Sequence, residues 1–533
     1  MVNWSMATGW SSRTPFLHPD LSLRVPPEKD CFGGIFETLG MKSKNKFSFF
    51  SVVIILITLL TTACQPVDTT SLAETQTASA PTPTVTSVPP TPLATRPVYE
   101  PGTLVDYIAQ SGDTLPALAA HFNTTEAEIR QANPILPRDV TTLPPGLPMK
   151  IPIYYVALWG NSFQILPDSL FVNGPAQTGF DTVAFVNSRP GWLKSYTTFA
   201  GEKNRIGGEV VDYVAITYSV SPRLLLAIAE YQAGALSNPT LPDDQAKYPL
   251  GYADRDHVGL YMQLVWAANT LNNGYYRWRE GTLDTISRLD DSIEHPDPWQ
   301  NAATVAIQYY FSQLLDTTQY QKAVYSDGLA KTYIDLFGNP WSAQPHIEGS
   351  LTQPELAFPF SLGETWAFTG GPHAAWGNGD PLAALDFAPP ASVGGCGSTT
   401  KFTTAVASGE IVRTDNAVAV LDLDGDGNER TGWVILYLHL ASQDMIRQGV
   451  MVKIGDPIGH PSCEGGKATG THVHIARKYN GEWIPADGAL PFNLNGWVAR
   501  NGATEYLGTL SRFGKIAVAS ESASSASLVT NSK

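Results

Sequence analysis

The sequence predicts a multidomain α+β protein with a small βααβ module, a mostly α middle region and a C-terminal antiparallel β-sheet domain. Three observations carry that reading. The chain has 533 residues, more than one hydrophobic core organises, since domains usually hold roughly 50–250 residues. A Thr-, Pro- and Ser-rich stretch at 65–102 cannot bury a core and reads as an extended spacer. Downstream, the apolar pattern changes from helical repeats before about residue 345 to strict alternation in Thr471-His472-Val473-His474-Ile475-Ala476.

Composition narrows the partners. A formal net charge of -15 and a pI near 5.1 argue against electrostatic binding to nucleic acid or anionic lipid, which needs clustered Lys and Arg. No nucleic-acid partner is expected. Residues 1–40 read as a doubtful N-terminal extension, because Met41 opens a basic stretch with Lys42, Lys44 and Lys46 directly before an apolar run at 47–60. That run is shorter than the ~20 residues a spanning helix needs, so 41–64 reads as an export signal. Thr61-Thr62-Ala63-Cys64 resembles a bacterial lipobox, which implies lipidation of Cys64 and a membrane contact through that anchor. Thr61 stands where Leu is usual.

Residues 103–153 show a short strand at Tyr107, a helix start at Ser111-Gly112-Asp113-Thr114, a second helix at 125–133 and a closing strand at 149–152. The order is β-α-α-β. With Ser-Gly-Asp-Thr-Leu, Ile-Arg-Gln-Ala-Asn-Pro and Leu-Pro-Pro-Gly, it resembles a LysM module, which implies binding to N-acetylglucosamine-containing glycan. A βααβ spacer without glycan affinity is the alternative.

Residues 154–348 read as mostly helical. Ser221-Pro222 supplies an N-cap and a first-turn proline, and 301–315 forms a further helix. The phrases from Val220 to Ala229 and from Gly259 to Leu264 resemble pieces of a lysozyme-like transglycosylase fold. Gln232 stands where that family has its catalytic Glu, and an amide cannot donate the proton. Glu230 lies about 200° around the helix from it. A degenerate, non-catalytic domain is expected.

Residues 349–505 carry the chemistry, with 506–533 expected to be a flexible tail. In the 471–476 strand, residues two apart share a face, so His472 and His474 point one way and Val473 and Ile475 the other. A strand at 434–440 brings His439 near its end, and His373 and Asp386 lie upstream. Two imidazoles and a carboxylate with an open position make a zinc site that can lower the pKa of a bound water to ~7. His373, Asp386 and His474 fit as ligands. Asp422, Asp424 and Asp426 before Gly427 suggest half a calcium loop, but position twelve is Trp433 and a tight acidic hairpin tip is the favoured reading.

Gly370-Gly371-Pro372-His373, Leu385-Asp386-Phe387, Tyr437-Leu438-His439, Cys463-Glu464-Gly465-Gly466 and Thr469-Gly470-Thr471-His472-Val473-His474 resemble the lysostaphin and LytM-type zinc endopeptidases. The spacing from His373 to Asp386 is similar to their β-lytic branch. The resemblance implies a small antiparallel sheet with a groove, a Zn2+ cofactor and cleavage of peptide cross-links in peptidoglycan. It implies that His472 is the base acting on water at the metal and that His439 stabilises the oxyanion. Cys396 and Cys463 are a natural disulfide pair in an oxidising compartment, and the resemblance implies that they staple loops beside the groove. The expected function is therefore an exported endopeptidase of the cell wall targeted by its LysM module. The alternative is a catalytically silent wall-binding regulator of another hydrolase.

Overall fold

The computed structural model describes residues 96–532 apart from 158 and 392–393. The N-terminal extension, the export run, Cys64 and most of the 65–102 spacer lie outside the described residues. Among the described residues no helix is long and apolar enough to cross a membrane.

Strands β1 (Thr103–Ile108) and β2 (Pro148–Ile153) pair antiparallel around helices α1 (Leu115–His121) and α2 (Glu126–Ala132). Thr114 caps α1 through Ala117 N–H. At α2, Thr125 and Glu128 form a reciprocal capping box, which satisfies two backbone donors that the first turn otherwise leaves open. Leu118, Phe122, Ile129 and Ile151 are fully buried between them.

The middle region is helical: α3 (Thr182–Asn187), α4 (Gly207–Tyr218), α5 (Pro222–Ala233), α6 (Leu260–Arg279), α7 (Ala302–Ser312), α8 (Thr317–Val324) and α9 (Leu329–Phe337). Ser221 caps α5 through Leu224 N–H. The run from Leu224 to Ala229 is buried on every side, so α5 is the central helix rather than an amphipathic surface one.

The C-terminal part contains a nine-stranded sheet. Its principal strands are β3 (Thr365–Ala374), β4 (Leu382–Ala388), β5 (Gly409–Asp415), β6 (Val418–Asp422), β7 (Trp433–Leu438) and β8 (Val473–Tyr479). They run in the spatial order β5-β6-β7-β8-β4-β3 with antiparallel neighbours. One face, with Leu385, Phe387, Ile435, Tyr437, Val473 and Ile475, packs into the domain's own core. The opposite face, with Ala384, Leu436, Leu438 and Ala476, belongs to the same buried cluster as Tyr218, Leu271 and Tyr275 of the middle helices. Two-sided burial explains why β4 and β7 are apolar runs, interrupted only by Asp386, rather than alternating ones.

The expected flexible tail is a correction. Residues 506–533 include strands Gly508–Arg512 and Lys515–Val518 of a second four-stranded sheet, and β9 (Leu528–Thr530) pairs with β3 at the edge of the main sheet. Ser and Gly obscure these strands in sequence, whereas Val529, Leu510 and Ala517 bury fully or almost so.

The three regions meet at Arg279, the last residue of α6. Its guanidinium lies 3.2 Å from both Asp168 and Glu482, 2.8 Å from the Tyr275 hydroxyl, and donates to the Ser111 carbonyl. His346 closes the group at 2.5 Å from Glu482. Near the same helix end, the Glu280 carboxyl is pushed up to about 8 by burial and by Asp380 and Asp487. The native state thus keeps a proton that the unfolded chain releases near pH 4.5. Stability from this group is full below that pH and is lost as pH rises toward about 8. Glu280→Gln is expected to change thermal stability little near pH 4.5 and to raise it by on the order of 3 kcal/mol near pH 9. Calorimetry at the two pH values checks this; equal effects at both would sink the assignment.

Candidate metal centre

Strand pairing brings the five side chains together. His474 lies opposite Asp386 on one side and Leu438 on the other, so the residue after Leu438, His439, sits at the same end of the sheet. β3 has register shifts between Phe368 and Gly370 and between Gly370 and His373, and such bulges re-aim a side chain. Gly370 faces Asp386 so closely that a Cβ there would overlap the carboxylate. His439 itself adopts a left-handed backbone, φ 65°, which turns the chain off β7 at the site.

Three donor atoms converge. His373 Nε2 lies 3.0 Å from His474 Nδ1 and 3.3 Å from Asp386 Oδ1, and His474 Nδ1 lies 3.4 Å from that oxygen. The second nitrogen of each ring faces a carbonyl: His373 Nδ1 that of Gly371 at 2.8 Å, His474 Nε2 that of Ala375 at 3.1 Å. When both rings are neutral and donate to those carbonyls, two imidazole lone pairs and a carboxylate oxygen point at one another with no proton between them. Asp386 Oδ1 is buried and has no hydrogen-bond partner. Such a set is repulsive unless a cation sits among it. Ligand atoms around a tetrahedral zinc, with bonds of about 2.0–2.1 Å, are separated by about the distances seen here.

The other two imidazoles stand beside this triangle. His472 Nδ1 donates to the Gly470 carbonyl at 2.7 Å, and its Nε2 is 3.7 Å from Asp386 Oδ2. His439 Nδ1 donates to the Glu464 carbonyl at 2.8 Å, and its ring centre is 4.5 Å from that of His472. Each ring therefore keeps one free nitrogen on the site side. Burial, then His472 and His474, push His439 down to about 4. Burial opposes charge on Asp386, yet His373 and His472 hold its carboxyl well below the usual range.

The loops are tied by a disulfide between Cys396 and Cys463. Beside one cysteine, the Gly395 carbonyl accepts from Thr471 N–H, immediately before His472. Beside the other, Glu464 holds His439. Closing a 67-residue loop contributes ~4 kcal/mol by chain entropy and keeps both rings in register.

Tyr506 lies at the start of the stretch expected to be a tail. Its ring stacks on His373 with centres 4.3 Å apart, and its backbone clamps Gly371 and Pro372. Its φ is 66°, an uncommon conformation for a bulky residue that tertiary contacts must enforce. No motif signals this, because the contact crosses more than a hundred positions. Tyr506→Ala is expected to weaken metal affinity roughly tenfold by freeing the His373 ring. Unchanged affinity in a metal-competition titration would refute that.

Four of the five side chains are buried, and His472 is partly so. Tyr506 covers His373, and the middle helices hold the loop that joins His373 to Asp386. Asn269 and Asn273 of α6 accept from Asn378 N–H at 2.8 Å and Asp380 N–H at 2.7 Å, both in the loop joining His373 to Asp386. In the middle region itself, Gln232 accepts from the Tyr310 hydroxyl at 2.6 Å and donates to the Leu250 carbonyl. The Glu230 carboxylate accepts from Leu236 and Ser237. Neither is free for acid catalysis. In the acidic turn, Asp422, Asp424 and Asp426 each accept from the N–H two residues on.

Comparison with known proteins follows the same division. Residues 107–152 match the LysM domain model and residues 164–350 match the model described as LasA, N-terminal domain. The chain is 25% identical over 359 residues to Protease LasA of Pseudomonas aeruginosa, covering 62% of this chain and 78% of the relative. It is 30% identical over 168 residues to the beta-lytic metalloendopeptidase of Achromobacter lyticus, covering 30% of this chain and 41% of the relative. The solved structure of the deep-sea M23 metalloprotease pseudoalterin is 24% identical, covers 32% of this chain and 96% of that one, and has a TM-score of 0.27.

Proposed function

We propose that the chain is an exported zinc-dependent endopeptidase that hydrolyses peptide cross-links of peptidoglycan, with its LysM module contributing glycan affinity. The observation that carries this reading is the convergence of His373 Nε2, His474 Nδ1 and Asp386 Oδ1, two imidazole nitrogens and a buried carboxylate oxygen without a hydrogen bond. The relatives named as protease and metalloendopeptidase support it. Cys64 remains the expected lipid-anchor position.

His373, His474 and Asp386 would hold the zinc. When bound, zinc supplies Lewis-acid polarisation of the scissile carbonyl and acidifies water. His472, with Nδ1 committed to the Gly470 carbonyl, offers Nε2 as the base that takes the proton from attacking water. His439, anchored through Nδ1 to Glu464, becomes an Nε2 donor once protonated, and negative charge developing on the carbonyl oxygen favours that protonation. The silent-regulator alternative has less support, because all five side chains are present and assembled.

We also propose that the described arrangement is latent, since the sheet face that carries His474 is packed against the middle helices. The test is mass spectrometry of fragments released from purified peptidoglycan by zinc-loaded protein, before and after the chain is cut within the connector, residues 338–346 after α9, with His472→Ala as control. New peptide amino termini that vanish in the variant are expected. New reducing sugar ends, or no release from either form, would overturn the reading.

A further inference from the structure

We propose that the middle region holds a separate binding site for a small ligand with a terminal carboxylate, and that a peptide C terminus is its occupant. A cavity of about 610 Å3 lies between the turn after Ser169, the first turn of α5, the end of α9 and the connector up to His346. Its size is that of small-molecule sites, which span about 300–1,000 Å3. Leu170, Phe180, Tyr333 and Phe337 give it apolar and aromatic walls, and Ser342 and Gln344 add amide-compatible polar groups.

Arg223 is the one fixed charge on the wall, and no Asp, Glu or Lys lines the cavity. Its guanidinium is stacked over the Phe180 ring, 4.4 Å from the centroid. Nη1 donates to the Ala176 carbonyl at 2.7 Å and to Gln177 Oε1 at 3.3 Å. Among the described residues it forms no ion pair. The group is thus fixed in plane and position by one nitrogen and a ring, while Nη2 and Nε stay uncommitted. That is the fork a carboxylate takes bidentately. Partial burial disfavours the charged guanidinium, and an anionic ligand beside it favours the charge. Sulfate or a nucleotide would leave the apolar walls unused, whereas a peptide terminus fills both parts.

The carboxylate requirement stands on this geometry alone. The peptide identity rests on the proposed hydrolase reading, because peptide-bond hydrolysis creates such termini.

Isothermal titration of the full chain with acetyl-alanyl-alanine, its carboxamide and benzoate separates these points. The acid is expected to bind at least tenfold more tightly than the amide, and Arg223→Gln is expected to lose that difference. Arg223→Lys, which keeps the charge but removes the planar fork, serves if the glutamine variant does not fold, and is expected to narrow the advantage of the acid over the amide. Equal binding of acid and amide, no binding, or indifference to both variants overturns the site. Benzoate binding more tightly than the peptide acid keeps the carboxylate site and overturns the peptide occupant, without touching the hydrolase reading.

Discussion

Asp386→Ala is expected to abolish both metal retention and peptide-bond hydrolysis, whereas His472→Ala keeps the metal and loses roughly 10²–10⁴ in rate. The difference follows from position. Asp386 Oδ1 is one apex of the donor triangle, 3.3 Å from His373 Nε2 and 3.4 Å from His474 Nδ1. His472 faces the other carboxylate oxygen at 3.7 Å and contributes no atom to the triangle. Metal content measured by plasma mass spectrometry separates the variants without depending on activity. Metal should also stabilise the folded chain by about 2.7 kcal/mol at a hundredfold excess over Kd, an effect that Asp386→Ala should lose and His472→Ala should retain. If His472→Ala also loses metal, the division between holding and proton transfer is wrong.

Local features of this chain are legible because they depend on neighbours in sequence. Thr125 with Glu128, and Ser221 before Pro222, are caps whose partners lie within one turn. His472-x-His474 is readable because pleating has a period of two, and the turn at Asn480-Gly481 marks where that strand ends. The apolar runs of β4 and β7 hold a clue to two-sided burial, but sequence cannot say which element supplies the second cover. Reading Val473 and Ile475 as the packed side is sound for the domain's own core. It leaves out Ala476, Leu436 and Leu438, which meet the middle helices. Tyr506, Asn269 and Asn273 escape for a related reason. Each reaches the site through a contact with a distant segment, and none carries a residue type or spacing peculiar to metal chemistry. The strands of 506–533 are three to five residues long and separated by a Ser-rich stretch at 520–527, so only their pairing with distant strands decides their conformation.

Separating the middle helices from the sheet is expected to raise hydrolysis about a hundredfold. Substrate must reach His472 and the donor triangle, yet the sheet face they occupy packs Ala384, Leu436, Leu438 and Ala476 into the cluster containing Tyr218 and Tyr275, and α6 holds the intervening loop through Asn269 and Asn273. The covalent tie runs through an exposed stretch, with Trp341, Ser342, Gln344 and Pro345 open to solvent. A protease site placed between Ser342 and Gln344 cuts that tie while leaving the contacts in place. Arg279→Met then removes the cation shared by Asp168 and Glu482. Leaving buried Asp168 without its cation and Glu482 with His346 alone costs about 3–5 kcal/mol, and if only ~3 kcal/mol of it appears as easier separation, the open fraction rises roughly a hundredfold. The order of rates expected on a soluble peptide substrate is intact, then cut, then cut with Arg279→Met. Metal content should be the same in all three, so that the gain reports access and not occupancy. Equal rates in the intact and the separated forms would show that substrate enters past the helices, and that the packed face is a scaffold rather than a closure.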